Sequence, residues 1–236
     1  MGSGEVGVTR AKVQLLVLSL CLPVVTAYAG EGFPGQAPDR EIIRTQEKVD
    51  SLVERGKYDR AMFIYRHELA PLGDKYAQYM IGFMYLAGKG VEADPAIAAA
   101  WYRLAAERTQ ETYVNEHAKL YSLLDDGQRR RADGVYQKLR SELGDTAFLA
   151  KLVEADLQIL RGRIKEIPFS QDTISRSNFA RRQTLDEQTV KQIRSRMAYL
   201  EEKLQTDAGV SAIERQRFQD LAARAESAIE EFESSR

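Results

Sequence analysis

The chain has 236 residues, 44% of them hydrophobic and 29% charged, with a formal net charge of −1. That is enough apolar material for a core, while so even a charge balance gives no electrostatic basis for binding nucleic acid. Cys21 is the single cysteine, which excludes an internal disulfide and a cysteine-built zinc site.

In chain order, Arg10 and Lys12 precede an apolar run from Val13 to Val25, and Ala27-Tyr28-Ala29 has the small-x-small pattern of a cleavage site. Residues 1–29 therefore read as a secretory signal, with periplasmic or secreted destination after cleavage near Ala29. The run is too short to span a bilayer and is interrupted by Pro23, so the alternative is an uncleaved anchor. Cys21 lies inside the run behind Leu20, which argues against lipidation. Without those 29 residues the chain has 32 basic and 34 acidic residues, a charge of −2, and no thiol. Residues 30–40, with Gly32, Pro34, Gly35 and Pro38, read as a flexible leader.

From Glu41 the pattern is helical, and Gly and Pro become rare outside turns, so the expected fold class is all-α. Ile42, Ile43, Val49, Leu52 and Val53 form the apolar face of a first helix ending near Gly56. A second helix, Tyr58 to Ala70, carries Tyr58, Ala61, Tyr65, Leu69 and Ala70 inward, and Pro71 with Gly73 stops it.

The most specific stretch is Gly73 to Arg108. Ala77, Ile81, Met84 and Tyr85 fall on one helical face, and Gly82 permits close approach of a neighbour. Gly88 and Gly90 can take positive φ in the loop GKGVEAD, with Val91 as the apolar plug. Asp94 is the N-cap of the next helix and Pro95 its first residue, followed by an inward stripe of Ala98, Trp101, Leu104 and Ala105. In order, Gly73, Ala77, Gly82, Tyr85, Gly88, Gly90, Val91, Asp94, Trp101, Tyr102, Ala105 and Ala106 resemble one Sel-one-like repeat, a tetratricopeptide-like helical hairpin. Ile81 stands where leucine is usual, and Thr109 where glycine opens a next repeat, so the array is expected to end here. Residues 41–72 read as a degenerate repeat stacked on the good one, since one repeat cannot bury its own apolar face. The repeats span 41–110.

A helical cap is expected over 111–166. Its first helix carries Tyr113, His117, Leu120, Tyr121 and Leu124, the next Ala132, Val135, Tyr136 and Leu139. The third runs from Asp145 to about Arg163 with Phe148, Leu149, Leu152, Val153, Leu157 and Leu160. Residues 167–183 lack a period and read as a linker. The segment 184–233 reads as a coiled-coil-like hairpin. Thr184 with Glu187 and Ser211 with Glu214 form two capping boxes. The seams are Val190, Ile193, Met197, Leu200 and Leu204, then Phe218, Leu221, Ala225, Ile229 and Phe232, parted by Asp207-Ala208-Gly209. So short a hairpin closes on itself, on the solenoid or on a second copy, a homo-oligomer through 184–233.

No phosphate loop, dinucleotide fingerprint, zinc-protease helix or nucleophile elbow occurs, and Gly88-Lys89-Gly90 lacks the context of a phosphate loop. His67 and His117, the only histidines, are far apart in sequence and without clustered ligands. Asp125 and Asp126 suit helix capping better than acid–base chemistry. Trp101 suits a core better than a ligand groove. Arg129 to Arg131 suit a solvated face, with contact to anionic lipid or an acidic partner as the alternative. No catalytic, cofactor-binding or metal-binding residue is nominated, and the repeat positions above stand as structural anchors.

The resemblance implies a short α-solenoid that binds proteins: an exported bacterial adaptor or scaffold in an envelope complex, not an enzyme. The alternatives are a self-assembling structural component of an envelope machine, of flagellar-motor or exopolysaccharide-export type, and an envelope glycan-acting enzyme for which no paired acid and nucleophile is visible.

Overall fold

The computed structural model describes residues 40–108, 110–166, 176–206 and 210–234, without side chains at 164–166 and 176–183. The expected signal, almost all of the leader, residues 167–175 of the expected linker and the Asp207 to Gly209 break lie outside the described residues. Every regular element described is helical. The described residues form two compact units, 40–148 and 149–234.

In the first unit, α1 (Arg40–Glu54) lays Val49 fully into the core and Ile42, Leu52 and Val53 partly against it. It stops at Gly56, whose φ of 70° few other residues accept. Next, α2 (Tyr58–Ile64) does not run on unbroken to Ala70 as its spacing suggests. It widens into a π turn at Tyr65–Leu69 and tightens into a 3-10 turn at Ala70–Leu72. Pro71 supplies the reason: it has no N–H to offer the carbonyl four residues back, and its ring crowds that carbonyl. The wider turn is closed instead by the Ala70 N–H donating to the Tyr65 carbonyl. Ala61, Tyr65, Leu69 and Ala70 still reach the core.

α3 (Lys75–Ala87) begins where the Asp74 carboxylate accepts the Ala77 N–H at 2.8 Å, and it ends at Gly88 with φ 65°. α4 (Pro95–Ala105) begins where one Asp94 oxygen accepts the N–H groups of Ala96 and Ile97, both at 3.1 Å. The Asp94 N–H donates to the Tyr85 carbonyl at 2.9 Å and closes the loop between the helices. A 3-10 turn, Ala106–Arg108, leads on to α5 (Glu111–Leu123) and α6 (Asp126–Leu143). Asp125 and Gln128 form a complete capping box on α6.

The middle of this unit is α4. It packs against α3, α5 and α6, so alanines on several of its faces, Ala96, Ala98, Ala99, Ala100 and Ala105, are all buried. Small side chains allow three helices to approach one cylinder. One core joins Val49 of α1, Tyr65 of the π turn, Ile81 and Met84 of α3, Trp101 and Leu104 of α4 and Tyr136 of α6. The hairpin α1–α2 is thus packed against α3, as a stacked repeat requires.

α7 (Asp145–Glu166) starts in the first unit and continues in the second, so the expected cap does not stay within one unit. In the second unit Leu149, Val153, Leu157 and Leu160 form its buried stripe. α8 (Arg176–Thr206) begins eight residues before the expected hairpin. The second half of the expected linker is therefore helix, and Thr184 lies inside α8, not at its cap. The stretch 176–183 contains no Gly or Pro to halt a helix.

The second capping box is present: the Glu214 N–H donates to the Ser211 hydroxyl at 3.2 Å and the Ser211 N–H to the Glu214 carboxylate at 2.8 Å, opening α9 (Ala212–Ser234). Val190, Ile193 and Leu200 of α8 and Phe218, Leu221, Ala225, Ile229 and Phe232 of α9 are buried. Met197 and Leu204 are only partly covered. Ion pairs bind α7 to both later helices, Arg163 with Asp186, Arg196 with Asp156, and Arg224 with Glu154. The hairpin closes on α7 as a three-helix bundle. No described helix is long and apolar enough to cross a membrane.

Candidate functional site

The twelve repeat positions are brought together in the α3–α4 hairpin, and most are used in packing. A Cβ on Gly82 would stand 2.5 Å from the Tyr102 ring, so glycine admits the aromatic face of α4 rather than backbone alone. Gly90, at φ 71°, presses on the Tyr58 backbone of α2, where a Cβ would meet the carbonyl carbon at 2.7 Å. Gly73, also at positive φ, lies under the Phe148 ring and the Arg108 guanidinium. Ala77, Tyr102 and Ala105 are completely buried and Trp101 is 2% exposed, so Trp101 is a core residue. Val91 packs on the core from the loop. Tyr85 is half-buried, its hydroxyl accepting from Arg66 of the π turn at 3.1 Å, and Ala106 is half-buried. Tyr102 stacks between Tyr79 and the core, and Tyr79 stacks in turn on Tyr113, both pairs at 5.0 Å.

At the far end of the hairpin lies a buried cluster of four charges that sequence reading missed. The Lys75 ammonium donates to the Leu104 carbonyl at 2.8 Å and to Gln78 at 3.1 Å, and pairs with Glu107 at 3.1 Å and Asp145 at 2.9 Å. Arg108 grips the two Asp145 oxygens, each at 3.1 Å, and donates to the Gly73 carbonyl at 2.9 Å. The Asp145 N–H donates to Glu107 at 2.9 Å, which places a carboxylate at the N-terminus of α7. Burial alone would raise the Asp145 carboxyl, but the Lys75 and Arg108 charges and their hydrogen bonds hold it below the usual range. The partners stand at 75, 107, 108 and 145, and no local spacing announces them. The one available signal was a cluster of charges beside otherwise apolar helix ends.

A second polar cluster joins α1, the π turn and the start of α3. Tyr65 and Tyr76 both donate to one Asp50 oxygen, at 2.9 and 3.2 Å, and Gln46 donates to Asp74. Burial raises both carboxyls despite these hydrogen bonds. Their partners are held internally, which is a structural use of the groups. His67 is exposed on the π turn, against Phe63, while His117 is half-buried with Nε2 lacking a hydrogen bond. Burial, helped by the Arg103 charge and opposed by Asp133, lowers His117 to about 4. No group of His, Cys, Asp or Glu among the described residues is placed to hold a metal ion.

Of the three consecutive arginines of α6, Arg131 pairs with the Asp94 cap at 2.6 Å, and Arg129 donates to the Tyr121 and Ser122 carbonyls at the end of α5. Arg131 thus braces the repeat, Arg129 ties α6 to α5, and Arg130 is exposed.

Stacked helical hairpins around an alanine-rich central helix define an all-α solenoid of the tetratricopeptide kind. Residues 75–109 match the family model described as Sel1 repeat, so this stretch is a Sel1-like repeat. That repeat is a protein–protein interaction module, and proteins that carry it are generally non-catalytic scaffolds. No curated protein and no solved structure matches the chain.

Proposed function

We propose that the chain is an exported Sel1-repeat scaffold that holds together a protein complex in a bacterial envelope. The observation that carries this reading is the Sel1 repeat at residues 75–109, in which the signature side chains build the hairpin and its stacking and leave outer faces for partners. The signal pattern of Arg10, Lys12, the apolar run and Ala27-Tyr28-Ala29 in residues 1–29 supports export. Large apolar side chains exposed on the first unit, Phe63 at 59% and Val114 at 40%, are suited to contacts with another protein.

The test is in-cell photocrosslinking from Phe63, from Glu92 in the repeat loop and from Ile213 at the start of α9, followed by fractionation into cytoplasm, periplasm and membranes. A discrete heterologous product in the periplasm or envelope is expected. Products confined to the cytoplasm would remove the export, and products made only of this chain would replace the scaffold with a self-assembling component.

A further inference from the structure

The seam of the terminal hairpin contains short side chains where longer ones would fill the space. Ala198 of α8 stands with Ala222 and Ala225 of α9 around an open groove of about 410 Å³, floored by Met197 and Ile229. Ala225 and Ile229 are buried, Met197 and Ala222 are half-covered, and no residue of α7 lines the groove. A volume of this size takes several aliphatic side chains.

The rim decides what enters. Glu201 on α8 and Glu226 and Glu230 on α9 line it, all exposed, and none is paired with a cation among the described residues. Glu226 and Glu230 are four residues apart, one above the other on the same helix face. The one rim cation, Arg194, is bonded to Glu233 at 2.9 Å. A second copy meeting this face with its own would set six carboxylates against one another, which charge repulsion opposes. An apolar channel with unpaired carboxylates on both banks suits an amphipathic helix whose apolar stripe is flanked by Lys or Arg.

We infer that the α8–α9 groove is a docking site for a cationic amphipathic helix of a partner protein. The apolar stripe lies over Ala198, Ala222 and Ala225, and its flanking cations meet Glu201 on one bank and Glu226 and Glu230 on the other. This deepens the scaffold reading with a second surface that does not use the repeat.

The probe is a labelled peptide of about 20 residues, long enough to span some 30 Å as a helix. It has leucines at i, i+3, i+4 and i+7 spacing and lysines on both flanks. Controls are the same peptide with glutamate flanks and one of identical composition with the periodicity scrambled. Fluorescence anisotropy against the full chain is expected to show saturable binding of the lysine peptide, about tenfold or more tighter than either control and weakened by added salt.

Glu226→Lys with Glu230→Lys, and separately Ala222→Trp to fill the groove, are each expected to weaken binding about tenfold at unchanged melting temperature. The double charge reversal tests the rim even if the tryptophan variant is unstable. Equal binding of the three peptides, no saturable binding, or indifference to the charge reversal overturns the inference. So does a dimer in light scattering that Ala222→Trp dissociates, since a second copy would then be the occupant. Failure here with heterologous crosslinks retained from Phe63 and Glu92 would remove this site and leave the scaffold reading standing.

Discussion

Gly90 and Gly134 show how little residue type says without its surroundings. At Gly90 the backbone is left-handed and a Cβ would press on the Tyr58 and Asp59 backbone at 2.7–2.9 Å. At Gly134, inside α6, nothing lies within 4 Å of where a Cβ would be. Gly90→Ala is expected to destabilise the first unit by about 2 kcal/mol or more, from the left-handed strain and the clash with backbone that cannot move aside. Gly134→Ala is expected to stabilise it by about 0.5–1 kcal/mol, the helix-interior preference of alanine. Urea unfolding followed by circular dichroism checks both, and opposite signs are the decisive result. His117 makes the complementary point: with its pKa lowered to about 4 it remains neutral in the fold. The unfolded chain binds the extra proton as pH falls from about 6.5. Its contribution to stability is therefore lost between those two values, and nothing on α5 but its burial in the fold predicts that.

At the scale of elements, α7 is attached to the repeat by charge. Its first residue, Asp145, meets Lys75 of α3 and Arg108 from the turn after α4, with Glu107 capping its backbone. Asp145→Asn removes the carboxylate charge that Lys75 and Arg108 share, and a loss of about 3 kcal/mol in the first unit is expected at pH 7. The sign of the pH effect follows from the lowered carboxyl of Asp145. Stability from that carboxylate is present above the unfolded value near 4 and lost as pH falls through the folded one. The gap between wild type and Asp145→Asn is therefore expected to be full at neutral pH and to shrink below about pH 4. A gap independent of pH down to 2, in parallel urea titrations, would mean that the carboxylate charge is not what holds the helix.

At the scale of the whole molecule, the two units have separate cores although one helix belongs to both. A fragment of residues 40–148 retains Asp145 and the Phe148 ring over Gly73, and is expected to melt cooperatively. A fragment ending at 143 lacks both and is expected to melt at least 10 °C lower, in line with a loss of roughly 3 kcal/mol for a domain of this size. Equal melting temperatures would show that α7 contributes nothing to the first unit.

The α3–α4 hairpin was legible because its determinants are local: Asp94 caps the helix that follows it, Pro95 suits the first turn, and Gly88 and Gly90 occupy backbone only glycine enters readily. The π turn before Pro71 and the extension of α8 back to Arg176 were not, because periodicity marks a helix face better than its exact ends. By itself the sequence determined the helices, their buried stripes and the repeat. Only the tertiary structure decided that the last hairpin closes on α7, that Lys75, Glu107, Arg108 and Asp145 share one buried site, and that three alanines open a groove between carboxylates with no cation partner among the described residues. The physical reason is distance: helix, cap and turn preferences act over a few residues of chain, whereas buried charges and packing voids arise between residues that the sequence keeps 24 to 70 positions apart.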